Sequence, residues 1–134
     1  MTDDELLAGF ETASLGNEPF HHGDHVRVAW LFERKYGFPE ALARFSDALK
    51  RFAAAKGAPQ LYHATVTWAF VLLIHERHAR KAAKTWDEFA AENTDLLTWK
   101  PSLLDRYYTP ELLGSELARA SFVMPDRVAV NLPG

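Results

Sequence analysis

The sequence predicts an all-α fold: a single-domain helical bundle with four main helices and short C-terminal helices. Apolar residues recur at intervals of three and four through four successive segments. Stops of the Gly and Pro kind separate those segments, and no convincing strand precedes the tail. At 134 residues the chain has the length of one domain with one core, spanning residues 1–134.

The first helix is expected from about Asp3 to Ser14, with Leu6, Leu7 and Phe10 at helical spacing and an acidic first turn that suits the helix dipole. A loop with Gly16, Asn17 and Pro19 ends it. The second runs from near His21 to Gly37 and carries His22, His25, Ala29, Phe32 and Tyr36 on one stripe, an apolar face whose first turn is made of imidazoles. The third opens at Pro39 and closes at Gly57 before Pro59, with Phe38, Leu42, Phe45, Leu49 and Phe52 as its buried seam. That spacing is typical of helices packed nearly antiparallel.

The fourth, from about Gln60 to Lys84, is apolar on nearly every side through Val66, Trp68, Phe70, Val71, Leu72 and Ile74, which places it in the middle of the domain. His63 stands near its start. Thr85 and Glu88 form a capping box that opens a fifth helix, Trp86 to about Asn93. Beyond Pro101 come short helical turns: Leu103 to Tyr108, a start at Thr109-Pro110, and Ser115 to Phe122. Residues 125–134 are expected to form an extended surface tail.

Composition narrows the function. The chain is 48% hydrophobic and 25% charged, which is globular rather than disordered. A formal charge of -3 supplies no general field for nucleic acid or an anionic bilayer. Local basic groups at Lys50, Arg51 and Lys56, then at Arg77, Arg80, Lys81 and Lys84, read as solvated helix surface. With no cysteine there are no disulfides, thiolate ligands or thiol nucleophiles. Met1 to Glu5 lacks the basic start and apolar run of a signal peptide, and the longest apolar run, Trp68 to Ile74, is far short of a membrane span. The expected location is cytoplasmic, with no membrane contact.

Histidine is the unusual signal. His21, His22 and His25 crowd one helix start, and His25 shares a face with both others. Two imidazoles on one turn reach a single ion, and a bundle takes its remaining ligands from facing helices. The positive end of the helix dipole keeps such rings neutral, as ligands must be. His75 and His78 lie about three turns beyond His63, roughly 18 Å away, and belong to the polar end of the long helix. No glycine-rich phosphate loop, G-x-S-x-G elbow or close core-facing pair of carboxylates is present. Glu11, one turn after Leu7, is the one acid beside an apolar face and the candidate general base or further ligand.

Phe20, His22, His25, Val26, Ala29 and Trp30, then Tyr62, His63, Thr65 and Thr67, then Tyr107, Tyr108, Ala118, Arg119, Phe122, Pro125 and Asp126 form a joint pattern. It resembles that of a family of small bacterial helical proteins: F-x-H-x-x-H, then Y-H-E-T-x-T, Y-Y-S and A-R-x-x-F-x-x-P-D. The resemblance runs from about Phe10 to Asp126 and brings no activity with it. It implies that His22, His25 and His63 act together and that His21 is incidental. The chain departs from the pattern at Ala64, where the family-like residue is glutamate, and at Thr109 in place of serine.

Two readings follow. In the first, His22, His25 and His63 hold one divalent ion (zinc, iron, nickel or copper), with Glu11 or water completing the shell of a metal-binding protein or metal-dependent enzyme. Tyr107, Tyr108 and Arg119 then border a pocket for a small-molecule substrate, Arg119 as an anion clamp. In the second, the protein is a non-catalytic helical module, a homodimer that binds a protein or small molecule, and its histidines are structural. A nucleic-acid regulator is a weaker third option, opposed by the net charge.

Overall fold

The computed structural model describes residues 1–15 and 20–127, and among these the chain is helical with no strand. Helix α1 spans Asp3–Glu11. Thr2 and Glu5 form a reciprocal cap at its start, each accepting from the other's backbone N–H at 3.1 Å. It stops three residues before the expected Ser14. The Thr12 hydroxyl donates back to the Ala8 carbonyl, and Ala13 takes a positive φ of 55°, which turns the chain away. Leu6, Leu7 and Phe10 are its buried face, as the spacing predicts.

Helix α2, His22–Tyr36, matches expectation to within a residue at each end. Asp24 accepts from the His21 N–H at its start, and Gly37 ends it with φ 73° and ψ 179°, a conformation open essentially only to glycine. Helix α3 spans Glu40–Ala55 and buries Leu42, Phe45 and Phe52 of the expected seam. Leu49 is only partly buried, and Phe38 lies outside the helix. Phe38 stacks on the His75 ring at 4.3 Å, partly exposed.

Helix α4, Ala64–Arg80, is shorter than expected at both ends. Pro59–Leu61 makes a separate 3₁₀ turn, so the α-helix begins only after His63, and Lys81 adopts extended angles that end it before Lys84. It packs against α2, α3 and a late helix α8 (Glu116–Ala120), the central position its apolar girth demands. Helix α5, Trp86–Glu92, starts at Thr85, whose hydroxyl accepts from Glu88 N–H. The Glu88 carboxylate turns to the Lys84 N–H instead of closing the box.

A short helix α6, Thr94–Leu97, has no counterpart in the expectation. A 3₁₀ turn at Leu103–Arg106 follows, then α7, Pro110–Leu113, and α8, capped by Thr109 and Ser115 hydroxyls. Of the expected extended tail, residues 128–134 lie outside the described residues. Asp126 and Arg127 bend back to donate to the Tyr107 carbonyl. The core is strongly aromatic: Phe10 stacks on Phe45 and Phe52 at 5.6 and 5.1 Å, and Trp30 packs on Trp86 and Phe89. No helix among the described residues is long and apolar enough to cross a membrane.

Candidate ligand cavity

The amino-terminal turns of α2 and α4 and the second half of α3 surround a cavity of about 370 Å³. Its wall is apolar and aromatic, with Phe20, Phe45, Phe52, Phe70, Tyr62 and Trp99 the largest contributors. Leu61, 73% exposed, and Trp99, 47% exposed, mark its rim. His22, His25 and His63 all line it, brought together by the crossing of α2 and α4.

The three imidazoles are not equivalent. His63 precedes α4 as its cap: the Val66 N–H donates to Nδ1 at 3.2 Å, while the opposite nitrogen, Nε2, donates to the Leu113 carbonyl at 2.7 Å. Both ring nitrogens are thereby occupied. His22 donates from Nε2 to the Leu96 carbonyl at 2.8 Å, and its ring sits 4.8 Å from Phe70 and 4.7 Å from Trp99. Burial holds its pKa below the ordinary value, with the Leu96 carbonyl opposing.

His25 lies edge-on to Phe20, Phe10 and Phe52, and its Nδ1 is buried with no hydrogen-bond partner. Burial, with a smaller contribution from neighbouring His22, pushes its pKa down to about 4. It is a neutral ring at neutral pH.

As a metal centre the arrangement is restricted. A ligand needs a lone pair at the ion, and His63 has neither nitrogen to give in this geometry. Among the described residues no group of three or more His, Cys, Asp or Glu side chains is placed to hold an ion. Glu11 is not in the cavity wall. It accepts from the Tyr36 hydroxyl at 2.8 Å and pairs with Lys35 at 3.6 Å, tying α1 to the end of α2.

The expected border residues also lie outside the wall. Tyr108 is buried and donates to the Val123 carbonyl at 2.7 Å. Tyr107 packs on the core, and Arg119 donates to the Gln60 carbonyl at 2.7 Å. These groups fix the C-terminal segments onto the bundle. Ala64, the departure from the family-like pattern, is buried in the first turn of α4 and is not part of the wall.

Sequence reasoning missed Trp99 and Tyr62 as wall residues. Both stand in connecting segments where helical periodicity gives no signal. His75 leaves the site as expected, donating to the buried Glu33 carboxylate at 2.7 Å. No family model, curated protein or solved structure matches the chain.

Proposed function

We propose that the protein is a non-catalytic helical binding module that takes one small, largely apolar molecule into the cavity between α2, α3 and α4. The cavity itself carries this reading. It is a half-open cleft of about 370 Å³ lined mainly by aromatic and aliphatic side chains, the usual make-up of a small-molecule site. At ~30 Å³ per water-sized group that is room for on the order of a dozen non-hydrogen atoms. It falls within the range of small-molecule sites, roughly 300–1,000 Å³. Among the described residues the wall holds no acid, and its imidazoles are satisfied at His63 and kept neutral at His25.

Titration with 1-methoxynaphthalene, followed by calorimetry, tests the reading. Saturable binding with Kd on the order of 10–100 µM is expected, from about −0.5 kcal/mol per ligand atom. Val66→Phe, which places a ring in the cavity, abolishes binding while leaving the helical circular dichroism unchanged. Binding that survives Val66→Phe places the ligand elsewhere and sinks the proposal.

A second reading, a metal site, draws support from the three histidines on one wall. A ligand histidine commonly donates its other ring nitrogen to a carbonyl, as His22 does to Leu96. With His63 occupied, such a site has His22 and His25 as its protein ligands and depends on water or substrate for the rest. Elemental analysis of protein purified without a histidine tag decides. One bound divalent metal per chain, lost in His22→Ala, favours this reading over the first.

A further inference from the structure

We infer that the molecule this cavity selects is a planar aromatic bearing a hydrogen-bond donor, a phenol or aryl amine, whose O–H or N–H is received by Nδ1 of His22. The inference rests on the reading of the cavity as a small-molecule site. A carbonyl only accepts, so the bond to Leu96 fixes the hydrogen of His22 on Nε2. The other nitrogen, Nδ1, is then a lone-pair acceptor, and it has no hydrogen bond among the described residues. Of the other wall histidines, His63 is bonded at both nitrogens, and His25 has Nδ1 buried among phenylalanines and leaves only Nε2, from which the His22→Phe variant separates Nδ1 of His22.

The surroundings of His22 specify the rest of the ligand. Trp99 and Phe70 lie within 5 Å of its ring, centroid to centroid, so a flat π-system beside Nδ1 meets aromatic faces and edges. Burial keeps the imidazole uncharged, so Nδ1 remains an acceptor at neutral pH. A carboxylate in the same place sets one acceptor against another. Its attraction is instead to Lys56 of the described wall, whose Nζ sits 5.3 Å from the centre of the Phe52 ring. A site built around a hydrogen bond discriminates chiefly against analogues that lack the donor, because such a molecule strips water from the acceptor and gives it no partner in exchange.

Calorimetric titration of the full chain at pH 7 with 1-naphthol, 1-aminonaphthalene, 1-methoxynaphthalene and 1-naphthoate tests this. The naphthol and the amine should bind about five- to tenfold more tightly than the ether, the equivalent of one net hydrogen bond. In His22→Phe the ratio of naphthol to ether affinity should fall to about one, whatever the absolute affinity of either. The four-ligand comparison on the native chain stands even if that variant does not fold. An ether that binds as tightly as the naphthol overturns the donor inference and leaves the small-molecule reading in place. Naphthoate as the tightest ligand also overturns it, assigning selection to Lys56. If none of the four binds, both readings fall.

Discussion

Three histidines on one cavity wall do three different things, and their hydrogen bonds decide which. His63 is spent on backbone groups, His22 keeps one acceptor, and His25 makes no hydrogen bond among the described residues. A ring as desolvated as His25 resists protonation in the folded chain. Its pKa is about 4 there against 6.5 for the ordinary group. As pH falls below 6.5 the unfolded chain binds a proton that the folded chain refuses. Stability therefore falls between pH 6.5 and about 4 and levels off below. The full effect is about 3 kcal/mol at 1.36 kcal/mol per pKa unit. Burial of His22 acts in the same direction. Urea unfolding at pH 7 and pH 4.5 should show the loss, and His25→Phe should flatten most of it. An unchanged slope in that variant would assign the acid sensitivity to other groups.

At the scale of elements, the starts and stops written in local chemistry were legible: the acidic first turn of α1, Gly37, and the starts at Thr85, Thr109 and Ser115. The start of α4 was not. A histidine at the start of an apolar helix reads as a metal ligand, and only α7, far along the chain, supplies the Leu113 carbonyl that helps hold it as a cap. His63→Ala should remove both bonds, leaving the Val66 N–H and a half-buried carbonyl without partners, and cost about 1–3 kcal/mol in urea unfolding. His63→Asn, whose side chain still caps the helix, should recover about 1 kcal/mol of that. Equal losses in the two variants would show that the tie to α7, not the cap, is what matters. Glu11, Tyr108 and Arg119 stand away from the described wall for a related reason. Each looks functional along the sequence, yet each finds its partner on a segment far along the chain.

Over the whole molecule, the helical class follows from periodicity, and the grouping of His22 with His25 follows from their spacing on α2. The cavity does not follow from either. Whether facing side chains fill the space between three helices depends on how those helices cross, and the sequence gives volumes without distances. The rim has a consequence for traffic. Leu61 belongs to the 3₁₀ turn between α3 and α4, and Trp99 to the connection after α6. The mouth is therefore framed by connecting segments, which move on nanosecond to microsecond timescales, and a guest passing between them separates no pair of long helices. For the small molecule proposed for this cavity, entry and escape would then be uncoupled from global unfolding, with residence time set by the affinity of the wall and not by the lifetime of the fold.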